Sequence, residues 1–229
     1  FGRKKYNILL KKDYQAGKIV LKKLRGFGKP TILIFGNGDW YKYPFEKSFT
    51  SYPRFQKVYD RHTKRLKGFR NINYGSVKFK GFSFVGFGGY MDIDAYFDSK
   101  KFKESKDKKS LKARIERRRK SKDRLFSILR ETKGQRIFVF HYPPKGVFDI
   151  IHDKRDNPMN GKSAGIKFFT DAIRKYKPRL VLCGHMHEYQ GAKKFRESLV
   201  VNPGDAEVGR YAIVEIDEKR KIKAGFSKI

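Results

Sequence analysis

The stretch "TILIFGNGDW", residues 31–40, runs a string of β-favouring residues into Gly36-Asn37-Gly38-Asp39. How that break is read decides the fold. Asn-Gly is the strongest short-range hairpin signal, so a type I′ turn between two antiparallel strands is one reading. A hairpin needs a good strand directly after the turn, and "WYKYP" (residues 40–44) is a poor one. The other reading makes residues 31–35 a strand whose end carries a functional asparagine.

Short, nearly continuous apolar runs recur at residues 82–87, 137–140, 180–183, 199–201 and 211–216. Runs without alternation read as strands covered on both faces. Between them fall helical patterns. Residues 4–25 read as a helix with Ile8, Leu9, Ile19, Val20, Leu21 and Leu24 as its buried positions. Residues 125–130 and 164–176 read likewise, the latter capped by Ser163 and ended by Pro178. Strand and helix in alternation indicate an α/β fold. From residue 199 onward strands follow one another without helices, so part of the sheet system is expected to be antiparallel. There is neither an internal repeat nor a convincing linker, which gives a single domain over residues 1–229.

The chain carries 56 Lys and Arg against 23 Asp and Glu, a net charge of +33. Polyanionic partners would suit such a balance, but the charges are spread along the whole chain, as a Lys-rich proteome would give. One segment stands apart, a basic insertion at about residues 99–124, "SKKFKESKDKKSLKARIERRRKSKDR". Leu111 and Ile115 are four residues apart in it, which allows a helix. It reads either as a solvated insertion or as a handle for phosphate backbones, whose binding would weaken steeply with salt. No run of 18 apolar residues is present, which argues against a membrane partner or span, and no signal-peptide pattern opens the sequence. The single Cys183 sits in an apolar run, which points to a reducing compartment and a cytoplasmic location.

In an open α/β sheet, ligands bind beyond the carboxyl ends of the strands. Residues 31–35 are followed by Asn37, residues 137–140 by His141, and residues 180–183 by Gly184, His185 and His187. A lone histidine after a strand is more often a hydrogen-bonded core residue than a ligand. The His-x-His pair is stronger, because residues i and i+2 of an extended chain point the same way, and Gly184 would allow close approach. His62 and His152 have no such context and read as surface or loop residues. Imidazole nitrogens with an amide oxygen suit Mn²⁺, Fe²⁺, Zn²⁺ or Co²⁺. Three histidines and one asparagine are too few for two ions, so the site looks half-built. In "GKSAG" (residues 161–165), Lys162 and Ser163 would hold a substrate phosphate if the segment opens a helix; an ordinary Ser-capped helix is the alternative.

"GNGDW", "FHYPP" and "CGHMHE" resemble, in order, the third, fourth and fifth motifs of the calcineurin-like metallophosphoesterases. "KGFSFVGFGGY" (80–90), "HYPPKGVFD" (141–149) and "GHMHEYQGAKKFRESLVVNPG" (184–204) are most similar to the Icc-related phosphoesterases. The resemblance implies an α/β/β/α sandwich of two mixed sheets flanked by helices. It implies a metal-dependent hydrolase of phosphomonoesters or phosphodiesters that uses two divalent ions and an activated hydroxide. Asn37, His141 and His185 would bind one ion and His187 the other. The family's first motifs, Asp-x-His and Gly-Asp, are missing from their expected place, as though the first β-α-β unit were absent; the chain as it stands would then bind metal weakly and catalyse poorly. Many relatives have a catalytic histidine where this sequence has Gly38, while the neighbouring Asp39 is kept as a candidate catalytic residue. A nucleic-acid-binding module or nuclease on the same scaffold, using residues 99–124, is the alternative function.

Overall fold

The computed structural model describes residues 3–37, 64, 67–93, 108–152 and 159–229. Gly38, Asp39, residues 40–44, His62 and residues 99–107 of the basic insertion lie outside them. The described helices are α1 (Arg3–Gly26), α2 (Lys108–Glu131) and α3 (Lys167–Tyr176). The first strands are β1 (Thr31–Leu33), β2 (Phe69–Asn71), β3 (Gly75–Phe79), β4 (Phe82–Phe87) and β5 (Gln135–Phe140). After them come β6 (Leu180–Leu182), β7 (Gly191–Phe195), β8 (Ser198–Asn202), β9 (Arg210–Ile216) and β10 (Ile222–Lys228).

Six strands form one mixed sheet in the order β3-β4-β5-β6-β8-β7. Its centre, β4 through β8, is parallel, and the hairpins β3–β4 and β7–β8 close its two sides. Side chains alternate across it with the period of the pleat. Val85, Phe87, Phe138, Phe140 and Val181 pack with Leu125 and Leu129 of α2 and with Phe169 and Ile173 of α3. Phe82, Phe84, Ile137, Leu180 and Val201 turn to the other face and meet Ala212, Val214 and Ala224 of the β9–β10 hairpin. The mixed α/β sheet thus has helices on one face and a second β layer on the other, as a metallophosphoesterase-type sandwich requires. Among the described residues the remaining strands form two separate pairs, β1–β2 parallel and β9–β10 antiparallel.

The structure corrects several expectations. Strand β9 is a continuous apolar run in sequence but is covered on one face only: Ala212 and Val214 pack inward while Tyr211 and Ile213 are exposed. In α1, Ile19, Val20 and Leu24 are exposed and Leu21 is half-buried, whereas the side chains of Ile8 and Leu9 lie outside the described set. An apolar stripe predicts burial only where another element lies against it. Helix α3 begins at Lys167, not Ala164, and its N-cap Ile166 offers no side-chain cap. Ser163 instead donates its hydroxyl to Asp149 and accepts from the amide of Gly165 at 3.2 Å. The amides of Lys162 and Ala164 are also taken, by Met159 O at 3.0 Å and Asp149 O at 2.6 Å. "GKSAG" therefore opens no helix, and the free-amide basis for phosphate binding at Lys162 and Ser163 is gone. At the other end Lys177 caps α3 in the left-handed region, followed by Pro178, as that proline predicts.

Helix α3 has a direct bearing on the candidate site. The Phe169 ring stacks on Phe140 with centroids 4.0 Å apart, and Phe169 is fully buried. Such a pair contributes about 0.5–1.5 kcal/mol beyond its burial. It anchors the end of β5 one residue before His141.

Candidate functional site

Four loops, those after β1, β4, β5 and β6, lie side by side, tied in series by backbone hydrogen bonds. Gly89 N donates to Phe35 O at 2.7 Å, His141 N to Phe87 O at 3.1 Å, and Gly184 N to His141 O at 3.0 Å. Each loop is therefore indexed to the next before any side chain is considered. Gly36 leaves the space that the His141 ring fills: a Cβ there would stand 3.1 Å from His141 Cε1. Gly184 is less demanding than its place in the motif indicates, since a Cβ would meet only His141 O at 3.7 Å.

The tying brings together Asn37, His141 and His185, separated by 104 and 148 positions along the chain from Asn37. His141 Nε2 lies 2.7 Å from Asn37 Oδ1, His185 Nδ1 lies 3.2 Å from Asn37 Oδ1, and the two ring nitrogens are 3.2 Å apart. Burial holds the His141 imidazole down to about 3, from the usual value near 6.5, with His185 and His187 adding to the shift. Burial, with His187 beside it, likewise lowers His185 to about 4. Desolvation penalises the charged ring, so both are neutral lone-pair donors at physiological pH.

The His-x-His pair does not sit on an extended chain. Met186 N donates to Gly184 O at 2.8 Å, closing a three-residue turn centred on His185, whose φ is +69°. A positive-φ turn of this kind is rare and strained for a residue with a Cβ, costing on the order of 1–3 kcal/mol. It separates the two rings. His185 joins Asn37 and His141, while the exposed His187 places Nδ1 3.5 Å from Asp205 Oδ1. The strain is held by Asn202, a buried side chain that donates to Met186 O at 3.1 Å and accepts from Gly204 N at 3.0 Å. The Tyr142 ring lies 4.1 Å from the His185 ring. Nothing in the sequence reading singles out Asn202, Asp205 or Tyr142, although "VVNPG" and "HYPP" contain the first and last of them. A polar residue closing an apolar run, as Asn202 closes β8, is the signal that could have found it. His152 is exposed, as its sequence context predicts. Cys183 is fully buried, and burial pushes its thiol up to about 12, which makes it inert.

Comparison with known proteins gives the same direction. The family described as "Metallophosphoesterase, calcineurin superfamily" matches residues 57–226. One crystal structure is 19% identical, with a TM-score of 0.62, covering 93% of this chain and 71% of its own. A second, TT1561 of Thermus thermophilus, is 18% identical with a TM-score of 0.46, covering 93% of this chain and 78% of its own. No curated protein matches. With most of its length matched by that family and with this fold, the chain belongs to the calcineurin superfamily of metallophosphoesterases.

Proposed function

We propose that the chain carries the site of a hydrolase of phosphomonoesters or phosphodiesters, weakly active with these four donors alone, and that Asn37, His141 and His185 hold one divalent cation, with His187 contributing to a second. The observation that carries this reading is the triangle of donor atoms with edges of 2.7, 3.2 and 3.2 Å. Ligands that each stand about 2.0–2.2 Å from one ion are themselves roughly 3 Å apart, so the three atoms fit a shared cation. Neutral imidazoles and an amide oxygen suit Mn²⁺, Fe²⁺, Zn²⁺ or Co²⁺. Such ions supply Lewis acidity toward water and phosphoryl oxygens.

The protein's own groups prepare that chemistry. Burial keeps the two rings unprotonated, and Asn202 fixes the turn that aims His185. Asp205 Oδ1, 3.5 Å from Nδ1 of His187, is placed to orient that ring. Among the described residues no three His, Cys, Asp or Glu cluster in a metal-binding arrangement, so the donor set rests on the histidines with Asn37. Lys162 keeps only its charge as a reason to meet a substrate phosphate. The inert buried thiol is in keeping with a cytoplasmic enzyme; among the described residues no helix is long and apolar enough to cross a membrane.

The test is Mn²⁺-supplemented turnover of p-nitrophenyl phosphate and bis-p-nitrophenyl phosphate by wild type and His185→Ala. Loss of a supporting residue alone typically costs about 10–100-fold, so loss of a ligand should cost at least about 100-fold. Equal rates in the two proteins would sink the reading.

A further inference from the structure

Helix α2 is divided by its surroundings. Its C-terminal half buries Leu125 and Leu129 against the sheet, and just beyond it Lys133 O accepts from Ser83 Oγ at 2.7 Å, at the amino end of β4. Its other half reaches the opposite edge. Arg114 Nη1 lies 2.8 Å from Asp92 Oδ1 and Arg117 Nη2 2.9 Å from Asp92 Oδ2, with Asp92 buried just past the carboxyl end of β4. The helix thus runs antiparallel to β4 and emerges on the edge that carries Asn37, His141 and His185. Its 24 residues span about 36 Å, against about 20 Å for the six residues of β5. About three turns therefore overhang that edge.

Those turns are cationic. Residues 108–120 of α2 hold eight Lys and Arg against one acid, Glu116, and Lys112, Arg119 and Lys120 are exposed, the last two also pairing with Glu116 at 2.8 and 3.7 Å. One loop links them to the donor cluster. Gly89 bonds Phe35 O, two residues before Asn37; Met91 N bonds the Tyr142 hydroxyl at 3.5 Å, and Tyr142 lies against His185; Asp92 takes the two arginines. In the same loop Tyr90 is 42% exposed. Lone-pair donors, an exposed aromatic ring and a cationic helix follow one another along a single edge. A small phosphate ester needs only the first of these. Three overhanging cationic turns match a run of phosphates, and an exposed ring matches an unpaired base, since single strands are bound by backbone charge together with aromatic stacking.

The geometry points to single-stranded nucleic acid as the substrate class of the site proposed above, on which this inference rests. Its phosphates lie along the overhanging turns of α2, a base stacks on Tyr90, and the scissile phosphodiester reaches Asn37, His141 and His185. Hydrolysis breaks one P–O bond, with water supplying hydroxyl to phosphorus and a proton to the leaving oxygen.

The test measures binding of a fluorescent 20-nucleotide single-stranded DNA by anisotropy, in EDTA, between 50 and 200 mM KCl. Replacing Lys112, Arg119 and Lys120 by Gln should weaken binding at least about tenfold and reduce the salt slope by about 2. Tyr90→Ala should cost about fivefold or more. The same loss of charge at Lys219, Lys221 and Lys223, near the amino edge where Arg179 bonds Arg220 O, should change binding less than about twofold. Equal weakening by both charge variants would reduce the effect to net charge and overturn the inference, as would a duplex binding as tightly as the single strand. With Mn²⁺ restored the wild type should shorten the oligonucleotide. Binding without shortening, by protein that turns over aryl phosphodiesters, overturns the substrate assignment and leaves the phosphoesterase reading standing. Turnover indifferent to His185→Ala sinks that reading and leaves the binding result intact.

Discussion

The two edges of the six-stranded sheet are made from the same strands and differ in what their loops do. At the amino edge Lys78, Lys80 and Lys133 line an open hollow of about 520 Å³ with Phe79 and Gly134. Its turns reach positive φ at Gly81 (+78°) and Gly134 (+86°) and also at Lys80 (+45°) and Arg220 (+62°), side chains that carry charge and aim at no common point. At the carboxyl edge His185 takes a positive φ inside a three-residue turn, two half-buried imidazoles are held uncharged, and the loops that carry Asn37, His141 and His185 are bonded in series. Charge collects at both edges, but aimed lone pairs occur at one. Accumulated lysine makes an electrostatic surface, whereas convergent donors held against strain make a site.

The contrast can be broken by mutation. The largest effect is expected for His141→Ala, which should lower Mn²⁺ affinity at least about 100-fold by calorimetry. Lys133→Ala at the opposite edge should leave it within about twofold. Equal effects would erase the distinction between the edges.

Acid should act next. The unfolded chain protonates histidine near 6.5, while the folded metal-free protein resists it down to about 4 at His185 and about 3 at His141. Below pH 6.5 the unfolded state therefore binds more protons, and stability falls as the pH drops toward 4, by roughly 3 kcal/mol for each ring. Urea unfolding of metal-free protein should show this acid limb and the His141→Gln, His185→Gln double variant should flatten it; a limb of the same slope in both would place the titrating groups elsewhere.

The smallest effects come from a matched pair of hydrogen bonds. Asn202→Ala removes the pin under Met186 and should cost about 1–3 kcal/mol in stability, together with about tenfold in metal affinity. Ser83→Ala removes the bond to Lys133 O and should cost about 1 kcal/mol with no change in metal affinity. Metal affinity that tracks stability in both variants would mean the pin has no positioning role.

Much of this is legible in the sequence. Strand β4 reads with its observed bounds, and Asn37, His141 and His185 stand out because each follows an apolar run that forms a strand. Strands β3, β7 and β10 do not read as separate strands, since they carry Lys78, Lys193, Lys194 and Lys223 on solvated faces and so lack apolar continuity. Only residues 125–130 of α2 read firmly as helix from packing; its earlier turns depend on Asp92, a contact made across 22 and 25 positions. The separation of His187 from His185 is beyond a local rule, because the rule assumes an extended chain where a strained turn exists. Ser163 misleads for a similar reason: its hydroxyl serves Asp149 in another loop rather than a helix end.

The central claim is that Asn37, His141 and His185 act as one ligand set. Titrating the protein with Co²⁺ while recording its visible absorption tests this directly. A saturable band in the wild type that is lost or shifted in both Asn37→Ala and His185→Ala is the predicted result. A band that both variants leave unchanged would contradict it.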